Sequence, residues 1–305
     1  MWLQQRSLYE MYKKAFKPFS ITTRGRLVEF RRPAVMGILN VTDDSFYDGG
    51  RYREPEAILA RARQIVSEGA DIVDIGASSS RPGAILLPPE VEAQRLAEAV
   101  RLVRAELPQT LLSVDTCYSL PARAAIEAGA DIINDIGGGD IDCDRQGAND
   151  AQGSNATMFQ TAAELQVPYI LMHGAKEHFA TPSPEAAADD IVDRVTRFLS
   201  ARLDTLYRLG VKDVWLDPGF GFGKTLEENH ELLDRLDELT SLFREPLLVG
   251  MSRKRMIYQR LGCTPDEALH GTIALDAIAL DRGAAIVRVH DVKPAVDTVN
   301  LLYSN

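Results

Sequence analysis

The sequence predicts an α/β fold: a (β/α)8 TIM barrel with an N-terminal β-hairpin and a short basic N-terminal extension ahead of its first barrel strand. Three observations carry this. Eight short apolar runs punctuate the chain, longer segments with apolar residues recurring at three and four lie between them, and no G-x-G-x-x-G opens the first helix, as an open wound sheet that binds dinucleotides would require. A length of 305 residues suits one barrel domain over 34–305, with 1–33 as extension and hairpin.

Taken in order, "FSITTRGRLVEFRRP" alternates on both sides of Arg24-Gly25 and reads as a hairpin whose glycine supplies the turn. The apolar runs follow: "AVMGILN" (34–40), "ADIVDIG" (70–76), "LLSVD" (111–115), "ADIINDI" (130–136), "VPYILMH" (167–173), "DVWLDPG" (213–219), "PLLVG" (246–250) and "AAIVRVH" (284–290). They lack polar alternation because a parallel strand in such a fold is buried on both faces. Helical patterns such as "EPEAILARARQIVSEGA" and "PPEVEAQRLAEAVRLVRAEL" separate them, several closed by glycine. The polar, glycine-rich stretch 137–156 reads as a long loop after the fourth strand.

Composition narrows the function. A net charge of −10 disfavours nucleic-acid binding, which needs a basic face, although residues 1–33 alone carry +6. Cys117, Cys143 and Cys263 are far apart, without CxxC spacing, so neither a disulfide framework nor a zinc site is expected and a cytoplasmic location fits. No apolar run is long enough to span a bilayer, and the N-terminus has no export-type apolar segment, so no membrane partner is expected.

Chemistry is expected where the strands end, because the C-terminal mouth of a barrel holds its active site. Polar residues recur there: Asn40, then "VTDDSFYDGG"; "GASSSRPGA" after the second run; Asp115; Asn134; Met172-His173; Asp217; Ser252-Arg253-Lys254; and Arg288 with His290. Asp115, Asn134 and Asp217 form an acceptor array suited to a flat heterocycle presenting N–H donors, since a buried carboxylate must be paired. Lys254, Arg288 and His290 suit a pyrophosphate. The loops with Asp44, Ser45, Ser80 and Arg81 are expected to close over substrate. Phe222 either stacks on an aromatic ligand or packs beneath its loop. Too few His or clustered carboxylates are present for a protein-built metal cage, leaving at most a Mg2+ held by ligand phosphates.

Seven ordered motifs then resemble the dihydropteroate synthase family: "MGILNVTDDSFYDGG", "DIVDIGASSSRPGA", "SVDT", "EAGADIIND", "YILMH", "LDPGFGFGKT" with "SRK", and "GAAIVRVHDV". The resemblance implies condensation of 6-hydroxymethyl-7,8-dihydropterin pyrophosphate with 4-aminobenzoate, and sulfonamide competition for the latter. It implies that Asp115, Asn134, Met172, Asp217 and Lys254 bind pterin, and that Asn40, Arg288 and His290 bind pyrophosphate with Mg2+ at Asn40. It further implies an aminobenzoate site of Thr42, Phe46, Ser80, Arg81, Pro82, Phe222, Lys254 and Arg255, with Asp44 and Arg81 joining Asp115 and Lys254 as catalytic residues, in a homodimer. Asp43, Ser78, Ser80 and Arg255 depart from the family pattern, which bears on aminobenzoate and sulfonamide handling. Rival readings are a pterin-binding methyltransferase-like barrel, a non-catalytic pterin-binding homologue, and an aldolase whose Lys254 is activated by Arg253 and Arg255.

Overall fold

The alternating residues before the first barrel strand form an antiparallel pair, β1 (Phe19–Thr23) and β2 (Arg26–Phe30), with Phe19 opposite Phe30. Arg24 and Gly25 both have positive φ, 47° and 73°, as a two-residue hairpin turn matched to strand twist requires. This computed structural model describes residues 16–41, 54–78, 87–139, 156–174 and 189–303. The extension over 1–15 and most of the 137–156 loop lie outside the described residues.

Each of the eight apolar runs contains a strand: β3 (Ala34–Asn40), β4 (Ile72–Gly76), β5 (Leu111–Asp115), β6 (Ile132–Asp135), β7 (Tyr169–Met172), β8 (Val214–Asp217), β9 (Leu248–Val249) and β10 (Ile286–Val289). They pair in parallel in the order β8-β7-β6-β5-β4-β3-β10-β9. A bridge between Leu216 and Leu247, with the Leu216 N–H donating to Pro246 O at 2.9 Å, brings β8 to β9 and closes the barrel.

Helices follow the strands: α1 (Glu54–Ser67), α2 (Pro89–Glu106), α3 (Ser119–Ala128), α4 (Ala156–Leu165), α5 (Ile191–Arg208), α6 (Leu226–Asp234), α7 (Leu236–Leu242), α8 (Arg255–Leu261), α9 (Leu269–Asp281) and α10 (Val292–Tyr303). Local chemistry sets their ends. Asp190 caps α5 by accepting from Val192 N and Asp193 N, and Thr225 with Glu228 forms a capping box on α6. None of the described helices is long and apolar enough to cross a membrane.

One inward-facing residue from every barrel strand builds a floor: Met36, Ile72, Leu111, Ile132, Ile170, Trp215, Leu248 and Ile286, joined by Ile21 and Phe30 from the hairpin. Phe19 stacks on Phe30 with centroids 4.6 Å apart, and both meet Trp215 edge-on at 5.7 and 5.9 Å. Thr22 N–H donates to Asp213 at 2.9 Å and the Thr23 hydroxyl reaches Asp131 O at 3.2 Å, which seats the hairpin in the N-terminal mouth. Side chains alternate faces along a strand, so the next inward residue lies two positions on, toward the other mouth.

Candidate active site

Counting two residues from the floor gives Asp74 on β4, Asn134 on β6, Met172 on β7, Asp217 on β8, Gly250 after β9 and Arg288 on β10. Counting four gives Asn40 on β3, Gly76 on β4 and Asp115 on β5, which the sheet register places side by side. The period of two thus delivers six of the expected site residues, Asn40, Asp115, Asn134, Met172, Asp217 and Arg288, to one mouth. Gly76 keeps the way between neighbours open: a Cβ there would lie 3.4 Å from Asp115 Cβ and 3.7 Å from Asn40 Oδ1.

Arg288 organises the centre. Its Nε donates to Asp74 Oδ2 and its Nη2 to Asp115 Oδ2, both at 2.6 Å, and Asn134 Nδ2 donates to the same Asp74 oxygen at 3.1 Å. Asn134 therefore turns its carbonyl oxygen away from Asp74. Asp115 Oδ1 and Asp74 Oδ1 are buried without a hydrogen-bond partner among the described residues. Burial raises the Asp115 pKa to about 6; Arg288 opposes that shift and Asp74 adds to it. Burial also raises Asp217, against the pull of Lys254 and a 2.7 Å hydrogen bond from Gly219 N–H.

Lys254 precedes α8 and bends back to donate to Phe220 O at 2.6 Å, with its Nζ 4.3 Å from the Phe222 ring centroid. Burial lowers its pKa to about 8, with Arg288 adding and Asp217 and Asp115 opposing. Arg253 and Arg255 do not produce that shift. Arg253, at φ 56°, grips Asp291 with two nitrogens and Asp266 with a third. Arg255 is exposed and donates to Gln259 one turn along α8 at 3.1 Å, so the structure does not bring it to Lys254's partners. His290 lies against Ser252, Nδ1 to Oγ 3.1 Å, and burial with Arg288 beside it lowers its pKa to about 4, so it acts as a neutral hydrogen-bonding group.

Phe222 and Met172 share a small apolar cluster with Cys117, Tyr118 and Ile136 at the same mouth. Phe222 therefore packs while its ring also faces the Lys254 ammonium. Thr42, Asp44, Phe46, Ser80, Arg81 and Pro82, like Asp43, lie outside the described residues. Sequence reasoning missed Asp74 and Lys224. A carboxylate in the middle of the apolar run "ADIVDIG" was the signal for the first, because a buried charge needs a partner. The second stands next to a triple-glycine loop and looks like an ordinary surface lysine until the loop is folded around it.

A family model described as "Pterin binding enzyme" matches residues 36–290, and the chain is 40% identical to dihydropteroate synthase of Streptococcus pyogenes over 282 residues, covering 91% of this chain and 97% of that one. The chain belongs to the dihydropteroate synthase family of pterin binding enzymes. Another family member, dihydropteroate synthase of Escherichia coli, is 38% identical over 281 residues, 92% of this chain and 94% of that one. Among solved structures of the family, the Xanthomonas albilineans dihydropteroate synthase with 4-aminobenzoic acid superposes with a TM-score of 0.79 at 37% identity, covering 92% of this chain and 96% of that one. The Yersinia pestis dihydropteroate synthase in a sulfonamide drug complex gives 0.78 at 37%, covering 93% and 98%. Family membership makes this a transferase of folate biosynthesis.

Proposed function

We propose that the mouth condenses 6-hydroxymethyl-7,8-dihydropterin pyrophosphate with 4-aminobenzoate, releasing pyrophosphate and 7,8-dihydropteroate. The observation that carries this is the buried acceptor set around Arg288. Asp115 Oδ1 has no hydrogen-bond partner among the described residues, Asn134 offers a carbonyl, and Asp217 is buried with one oxygen taken by Gly219 N–H. The ring N–H and amino groups of a pterin would satisfy those acceptors, and a neutral apolar ligand would leave them costly. Met172 supplies an apolar face and Lys254 a donor.

In this reading Arg288, His290 and Asn40 hold the pyrophosphate, which leaves before the aniline nitrogen attacks. Asp115 then stabilises the positive charge left on the pterin, a role for a carboxylate fixed in a low-dielectric site. The aminobenzoate ring would lie against Phe222 and Lys254, where sulfonamides would compete.

Mg2+ belongs to the same proposal. Among the described residues no group of three or more His, Cys, Asp or Glu is arranged to hold a metal. The Asn40 carbonyl at the mouth's edge nevertheless fits an ion that keeps waters and takes most of its ligands from phosphate oxygens. When bound, the ion would neutralise charge on the departing pyrophosphate. A homodimer is also proposed, supported by the apolar composition of α9, "LHGTIALDAIALD", which leaves Ile278 exposed, and by exposed Leu301 on α10. A cytoplasmic location is supported by unpaired Cys117 and Cys263.

The test is pyrophosphate release from the pterin pyrophosphate with and without 4-aminobenzoate and Mg2+. Aminobenzoate-dependent release is expected, and none under any condition would falsify the synthase reading.

A further inference from the structure

The loop that follows β8, "PGFGFGKT" (218–225), takes its shape from three glycines at positive φ: Gly219 at 71°, Gly221 at 80° and Gly223 at 58°. It is packed against the end of β7 so tightly that a Cβ on Gly219 would lie 2.1 Å from His173 O. Phe220 is fully buried in the core and Phe222 packs in the small cluster at the mouth. Packing anchors the two rings, and the backbone carbonyls between the glycines still need donors if the loop is to keep one conformation.

Two lysines donate to these carbonyls. Lys254 takes Phe220 O, as described above, while Lys224 Nζ donates to Gly219 O at 2.8 Å and Phe222 O at 3.1 Å. The same ammonium lies 2.9 Å from His173 Nδ1. Burial lowers the His173 pKa, with Lys224 the next cause, so the imidazole is neutral and its Nδ1 accepts. From below, Asn229 Oδ1 accepts the Gly221 N–H at 2.6 Å. Lys224 is thus a buried cation whose partners are the Gly219 and Phe222 carbonyls, the His173 carbonyl at 3.4 Å and one neutral ring nitrogen, with no carboxylate in hydrogen-bond contact among the described residues.

We infer that Lys224 is a positioning residue for the aminobenzoate arm of the site, holding Phe222 in place through the Gly219 and Phe222 carbonyls. The assignment rests on the synthase reading and adds to it a group that touches no substrate. None of its hydrogen bonds reaches Asp74, Asp115, Asn134 or Arg288, and its link to the pterin acceptors is indirect, through Gly219, whose N–H donates to Asp217.

The hold is also titratable. Burial brings the Lys224 pKa down to about 7; Asp217 on β8 and Glu228 on α6 resist that, while Arg194 on α5 and Lys254 assist it. Glu228 is itself committed to Arg194 at 2.6 Å and to the α6 cap, so it offers Lys224 no contact pair. Below that pKa the ammonium carries three donors for the loop and His173. Above it the amine has lost a donor and its charge, and charge-assisted hydrogen bonds are the stronger kind. Phe222 is therefore held more firmly on the acid side of neutrality.

The experiment measures KM for each substrate separately, by pyrophosphate release from the full-length protein, across a pH series from about 6 to about 8 that brackets the Lys224 titration. In the unmodified enzyme the aminobenzoate KM is expected to rise with pH while the pterin pyrophosphate KM changes less. Lys224→Met is expected to raise the aminobenzoate KM about tenfold at the acid end, to remove the part of its pH dependence centred near 7 while leaving that of Lys254 near 8, and to leave the pterin pyrophosphate KM within about twofold. Equal rises in both KM values, or a fall in kcat alone, would overturn the assignment. If Lys224→Met does not fold, the unmodified enzyme decides: a flat aminobenzoate KM sinks the assignment while the synthase reading stands. Absence of release at every pH removes both together.

Discussion

The floor and the mouth of this barrel are built from the same faces of the same strands, two residues apart, and they obey opposite rules. At Ile72, Ile132, Trp215 and Ile286 the inward positions are apolar and pack with the hairpin's Phe30 and Ile21. At Asp74, Asn134, Asp217 and Arg288 they are polar and buried or nearly so; Asp74, Asn134 and Arg288 hold one another, and Asp217 is held by the Gly219 N–H. Area removed from water stabilises the first layer. The second layer carries the desolvation of its charged groups, visible in the raised Asp115 and lowered Lys254 pKa values. Stability is thus concentrated at one end and chemistry at the other.

The largest effect that would break this division is expected in the floor. Trp215→Ala removes the indole against which Phe19 and Phe30 pack, and should cost about 3–5 kcal/mol of unfolding free energy, measured by urea denaturation. Activity of the fraction that remains folded should be retained. Asp115→Asn should do the reverse. Pyrophosphate release is expected to fall about 10²–10³-fold, the size typical of losing one preorganised electrostatic contact, while the urea midpoint moves little. Loss of activity in Trp215→Ala at unchanged stability would contradict the division.

pH should sharpen it further. The folded pKa of Asp115 lies above its ordinary value of 3.8, at about 6, so between those values the folded chain binds more protons than the unfolded one and this group's contribution to stability falls as pH rises. Lys254 has a folded pKa of about 8, below 10.5, so in that window the unfolded chain binds more protons and stability rises with pH. Both signs say that charging the mouth costs folding free energy. Activity should nevertheless need Asp115 ionised, giving an acid limb in kcat near pH 6 that Asp115→Asn removes. The smallest effect is expected at Arg255→Ser: with its side chain exposed and turned to Gln259, the aminobenzoate KM and sulfonamide inhibition should change less than about twofold.

How much of this was legible follows from range. All eight strands fall inside apolar runs readable in the sequence, because burial on both faces erases alternation over a few residues at a time. The Arg24-Gly25 turn and the strand-end polar residues Asn40, Asp115, Asn134 and Asp217 are equally local signals. So are the motifs that place the chain in its family.

What only the tertiary structure decided is which group answers which. Arg288 meets Asp74 and Asp115 across 214 and 173 residues of chain, and Arg253 turns from its neighbours to Asp291, 38 residues on. Lys224 is separated from His173 by 51 residues and from a surface role only by the fold of a glycine loop. The sequence determined which side chains face inward, since that depends on the period of a strand. Their pairing, burial and proton affinity depend on distances through space, and those exist only once the barrel has closed.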